Sequence, residues 1–183
     1  MRNTNKPGNH LVKRIIFDII AVFGLFLLQC SLFQRLSIAS ISPNLLIVLT
    51  ASVGFMRGSR EGMAVGFFCG LLLDITSGSI LGFYALIYLF VGFFNGFAQR
   101  AFYPDNIRLP MLSIILSDLL TNITVYICMF LLRGRLAFIY YFLHIMMPEL
   151  VYTALVAIVL YLVILFIHQK IYKRGRIDLV RSK

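Results

Sequence analysis

The sequence predicts an all-α polytopic membrane protein with six transmembrane helices. Three observations carry that expectation. Of 183 residues, 60% are hydrophobic and only 13% charged, against ~45–50% and ~25% in soluble domains. The apolar residues fall into six runs near the ~20 residues that a helical span requires. The net charge of +10 comes from 17 Lys and Arg against 7 Asp and Glu, and the cations cluster at the chain ends and in short connections. That clustering is the positive-inside bias of a membrane protein and excludes the nucleic-acid face that a basic chain otherwise suggests.

The predicted segments are 15–33, 38–56, 62–77, 79–99, 110–132 and 149–169. The first follows a polar, basic stretch, residues 1–14, and resembles a signal peptide. Gln29-Cys30-Ser31 offers no small-x-small cleavage site, so it reads as an uncleaved span. Pro43, Pro110 and Pro148 stand near segment starts, where a missing N–H is tolerated. The apolar stretch 138–147 is half a span and reads as an interfacial or re-entrant piece. Cys30, Cys69 and Cys128 lie far apart in apolar runs, which suits small hydrophobes and not a disulfide or metal site.

Six spans put both termini on one side. Fourteen of the 17 Lys and Arg then fall on that side and three on the other, which makes both termini cytoplasmic. The expected organisation is a basic N-terminus (1–14), one membrane domain (15–169) and a basic tail (170–183). The tail carries six cations in 14 residues and should lie on anionic headgroups.

The most specific local pattern is a glycine ladder. Gly54, Gly58, Gly62, Gly66 and Gly70 recur every four residues, and Gly78/Gly82 and Gly92/Gly96 repeat the spacing. A period of four places small residues on one helix stripe, where backbones can touch in lipid. The polar insert Arg57-Gly58-Ser59-Arg60-Glu61 divides the ladder into two helices joined by a tight cytoplasmic turn. Asp74-Ile75-Thr76-Ser77-Gly78 then reads as an outer turn in which side-chain oxygens accept from nearby backbone N–H groups. The glycine faces are expected to pack helices and to recruit partner membrane proteins.

Pro43-Asn44-Leu45-Leu46, then Gly62-x3-Gly66-Phe67-x2-Gly70-Leu71-Leu72-x-Asp74, then Ser77-Gly78-x2-Leu81-Gly82-x2-Ala85-Leu86-x-Tyr88 resembles the signature region of the rod shape-determining protein MreD family. The resemblance implies a fold similar to the S-components of energy-coupling-factor vitamin transporters. It also implies a non-enzymatic component of the bacterial cytoplasmic (inner) membrane that belongs to the cell-elongation machinery. Such a protein would bind an MreC-like bitopic partner and help link MreB filaments to peptidoglycan synthases. No cofactor and no catalytic residue follows from it.

An ionisable group at membrane depth is a functional candidate by default. Asp118 lies mid-span, and Thr121 and Asn122 share its helical face. That face should point into the bundle, as structural glue or as the wall of a small polar cavity, with Gln29 and Asn95 as partners to consider. Asp18 suits an i,i+4 pair with Arg14, and Glu149 suits a helix start. HExxH, GxSxG and Walker motifs are absent from the sequence, so an enzyme is not expected. The alternative function is an S-component-like solute-transporter subunit that binds through the Asp118 face.

Overall fold

A computed structural model describes residues 8–33, 43–77, 81–101, 108–129 and 138–180, with side chains for 15–31, 43–77, 81–99, 109–128 and 139–167. All regular structure among the described residues is helical: α1 (Gly8–Leu28) with a π turn (Gln29–Phe33), α2 (Leu45–Arg57), α3 (Ser59–Ser77), α4 (Phe83–Ala101), α5 (Arg108–Met129), α6 (Phe138–Tyr141) with a second π turn (Phe142–Met146), and α7 (Met147–Val180). The stretches Leu109–Cys128 and Ile139–Ile167 are long and apolar enough to cross a membrane, and Ile15–Ser31, Leu45–Arg57 and Phe83–Gln99 are shorter apolar helices. Large apolar side chains cover the outside, among them Ile20, Phe94, Leu116 and Phe166, as a lipid-facing surface requires.

The helix α2 is the centre. Every residue from Leu45 to Phe55 is buried, against α3, α4, α5 and α7 in turn. Its 13 residues reach only ~20 Å, short of the ~30 Å hydrocarbon layer. Of the expected segment 38–56, residues 38–42 lie outside the described residues, and from Pro43 on the helix begins at Leu45, where Asn44 caps it by accepting from the Ile47 N–H at 3.3 Å.

The reversal between α2 and α3 needs a single residue. Gly58 has φ 96°, a region that side-chain-bearing residues rarely adopt, and its N–H donates to the Gly54 carbonyl at 2.8 Å. The polar insert expected to form the whole turn is thus already helical from Ser59, and Glu61 lies in the first turn, where the helix dipole favours a carboxylate.

Two further expectations change. The stretch 138–147 is not separate from the last helix. The π turn Phe142–Met146 runs into α7, with the Met147 N–H donating to the Phe142 carbonyl. The widened turn relieves the clash that Pro148 would impose on a regular helix, so the chain stays helical through it. The last helix also continues to Val180, past the expected end at 169, so the backbone of most of the basic tail is helical.

Asp18 pairs across the fold. Its two carboxylate oxygens accept from Arg57 Nη1 at 2.7 and 2.8 Å, and Glu61 lies 3.6 Å from the same nitrogen. The expected partner Arg14 has its side chain outside the described residues. The Arg57 side chain is only 2% exposed, so this contact ties α1 to the α2–α3 turn. Asp18→Asn is expected to cost about 1–2 kcal/mol, because Glu61 still compensates the buried guanidinium in part. Thermal unfolding in detergent checks the value, and Asp18→Asn with Glu61→Gln should cost more than either alone.

Candidate functional site

The glycine faces form a three-helix seam. Gly54 of α2, Gly62 of α3 and Gly92 of α4 meet one another, Gly96 of α4 abuts Gly58 and Ser59, and Gly66 and Gly70 of α3 face the α4 backbone. A Cβ placed on Gly62 would stand 2.6 Å from the Gly92 carbonyl oxygen and 2.7 Å from the Gly54 Cα. At Gly66 it would strike the Tyr88 carbonyl, and at Gly70 the Tyr84 carbonyl. The most extensive interface of the fold, α3 on α4, is built this way. The expected recruiting surface is therefore corrected: α4 already covers these glycines, leaving no room for another chain. Gly82 is exposed, with φ 94° and open space around it, because it precedes α4 instead of lying on its face. Gly78 lies outside the described residues.

Asp74, 2% exposed, stands at the end of this seam. Its carboxylate accepts from the backbone N–H of Gly82 at 3.0 Å, Tyr84 at 2.8 Å and Ala85 at 3.0 Å. A side chain of α3 thereby caps α4, where orphan N–H groups and the positive dipole end favour a carboxylate. The expected turn Asp74–Gly78 is corrected: α3 stays helical to Ser77, Thr76 and Ser77 donate to the Leu72 and Leu73 carbonyls, and the N–H groups that Asp74 accepts from belong to the start of α4.

Beside it lies a polar hub at the start of α2. Gln29 Oε1 accepts from Leu45 N–H at 3.0 Å and Leu46 N–H at 3.3 Å. Tyr88 donates its hydroxyl to Asn44 Oδ1 at 2.7 Å, and the Asn44 N–H donates to Thr153 Oγ1 at 3.1 Å. A helix start buried in an apolar surround thus finds acceptors for its N–H groups on two other elements, while Tyr88 of α4 holds the Asn44 cap itself. Asn95 is satisfied separately, donating to Ser117 Oγ and the Val91 carbonyl and accepting from Ser113.

Asp118, Thr121 and Asn122 are all buried on the inner face of α5. Neither Gln29 nor Asn95 pairs with Asp118, since both are engaged elsewhere. Among the described residues, both Asp118 oxygens, Thr121 Oγ1 and Asn122 Nδ2 find no hydrogen-bond partner. Thr153 approaches Asp118, and Asn122 approaches Glu149, without closing a bond, and the two carboxyl groups are electrostatic neighbours. Thr121, Asn122 and Glu149 line a cavity of about 220 Å³, together with Gln29, Asn44, Ser77, Tyr84, Tyr88 and Tyr141.

Glu149, expected only as a helix-start carboxylate, thus faces the cavity one turn before Thr153, which sequence reasoning missed. Two polar residues spaced i,i+4 in an otherwise apolar helix were the available signal. Among the described residues no group of three or more His, Cys, Asp and Glu is arranged to hold a metal ion.

A family model described as rod shape-determining protein MreD matches residues 11–171, most of the chain. No curated protein and no solved structure matches it. With a helical, apolar-surfaced bundle and a match of that length, the chain belongs to the rod shape-determining protein MreD family, a membrane protein of rod shape determination.

Proposed function

We propose that this chain is a non-catalytic scaffold of the bacterial cytoplasmic membrane. Its six segments cross the bilayer wholly or in part, and both termini are cytoplasmic. It holds an MreC-like bitopic partner and, through it, helps link MreB filaments to peptidoglycan synthases. The basic tail rests on anionic headgroups of the inner leaflet. The observation that carries this reading is the family match over residues 11–171. Nothing in that match supports the solute-transporter alternative.

Because the glycine faces are covered, a partner helix must meet an outward face. The choice that fits best is the aromatic face of α4, where Phe90, Phe93, Phe94 and Phe97 are exposed and Phe90 stacks on Phe94 at 6.3 Å. Large rigid side chains there offer contact area at little entropic cost.

The test is co-purification of the full chain with a co-expressed MreC-like single-span protein. Replacing Phe90, Phe94 and Phe97 together by Ala should reduce recovery of the partner at least fivefold while leaving the unfolding midpoint in detergent nearly unchanged. Asp118→Asn should leave recovery intact. Failure of the unaltered chain to retain the partner would overturn the scaffold reading, whereas undiminished retention by the triple variant would move the docking face elsewhere.

A further inference from the structure

We propose that the polar cavity beside the start of α2, walled by α3, α4, α5 and α7, is a binding site for a small molecule or headgroup bearing a primary ammonium and a neighbouring oxygen, the chemistry of ethanolamine. The inference does not depend on the scaffold reading.

One carboxyl group, Glu149 of α7, lines the cavity beside Thr121 and Asn122 of α5, with the buried Asp118 one turn back on α5 and outside the lining, and no basic side chain stands among the described lining residues. Acidic groups inside a membrane bundle need neutralising partners, and elsewhere this fold supplies them. Asp18 has Arg57 and Asp74 has three N–H donors, yet Glu149 faces the cavity with no cation among the described lining residues.

The unpaired atoms are also the right kind. Thr121 and Asn122, 4% and 8% exposed, line the cavity with an unpartnered Oγ1 and Nδ2. Buried polar atoms left this way are costly unless something fills the space. An ammonium has three donors and no acceptor, which suits the carboxyl and hydroxyl oxygens. The rings of Tyr84 and Tyr141 add faces that attract a cation. Asn122 Nδ2, a donor, then calls for an acceptor oxygen beside the cation, which a hydroxyl or a phosphodiester supplies. A cavity of about 220 Å³ has room for such a group.

The source can be a free amine or the headgroup of an aminolipid, since the cavity sits where α3 ends at Ser77 and α4 begins near Tyr84. Two experiments on the purified full chain separate them. In detergent, ethanolamine should raise the thermal unfolding midpoint in a concentration-dependent way, and ethylene glycol at the same concentrations should not. In nanodiscs mixing phosphatidylethanolamine with phosphatidylglycerol, native mass spectrometry should show one phosphatidylethanolamine retained per chain if the headgroup is the ligand.

Glu149→Gln should weaken ethanolamine binding at least tenfold, or abolish lipid retention. Thr121→Val serves the same purpose should a carboxyl variant misfold. A midpoint shift alone assigns a free amine, and lipid retention alone assigns a headgroup. The proposal is overturned if neither occurs, if ethylene glycol acts equally, or if the folded variants bind as the parent chain does.

Discussion

Gly66→Ala is expected to destabilise the protein by about 3 kcal/mol or more, at the upper end of overpacking effects. The added methyl group would strike the Tyr88 carbonyl and come within 2.8 Å of Thr50 Cγ2. A side-chain end can swing aside, but the carbonyl belongs to the α4 backbone and is held by its own helix. Relief would therefore require α3 and α4 to separate along the seam, loosening the contacts at Gly62 and Gly70 as well. Reversible unfolding in mixed detergent micelles would give the difference. Gly24→Ala is the internal control: nothing lies within 4 Å of its added Cβ, so helix propensity alone predicts a neutral or slightly stabilising change, up to ~1 kcal/mol. Equal losses at the two positions would contradict the close-packed seam.

Asp74→Ala is expected to cost about 3–5 kcal/mol. Three backbone donors, at Gly82, Tyr84 and Ala85, lose a charged acceptor at once, and hydrogen bonds to charged groups contribute about 1.5–3 kcal/mol each before non-additivity. Asp74→Asn keeps one acceptor oxygen and should lose roughly half as much. Hydrogen exchange at the Tyr84 and Ala85 amides would report the cap directly. Both should exchange much faster in the Ala variant, while amides in the middle of α4 remain protected. Unchanged exchange would show that the start of α4 is held by something else.

The reach of the sequence differs from feature to feature. The all-helical class and the close approach of glycine-bearing helices are legible because both rest on local periodicity, 3.6 residues per turn and a stripe every four. That Asp74 accepts from backbone N–H groups is legible in its residue type, but its donors lie 8–11 positions on, beyond the turn that local spacing suggested. What the period could not show is which helix covers the stripe. Gly54, Gly62 and Gly66 looked available for a partner protein, and only the return of α4 closes them off.

The shortness of α2 was hidden for the same reason. Its start depends on Gln29, 16 positions away, and on Thr153, 109 positions from Asn44. The Asp18–Arg57 pair spans 39 positions, whereas local spacing suggested Arg14. Pro148 misled because a π turn, which has no sequence period of its own, absorbs the distortion.

The hub at Asn44 has a consequence for biogenesis. As the chain leaves the ribosome, helix α2, at 13 residues, is too short to cross the hydrocarbon layer by itself and must be threaded in among its neighbours. Gln29 precedes it and can meet the Leu45 and Leu46 amides early, but the Asn44 amide waits for Thr153. Completion of the central helix is thus deferred until the C-terminal helix has been synthesised. A nascent chain stalled before α7 would hold its core half-closed, presenting quality-control proteases with a recognisably unfinished molecule.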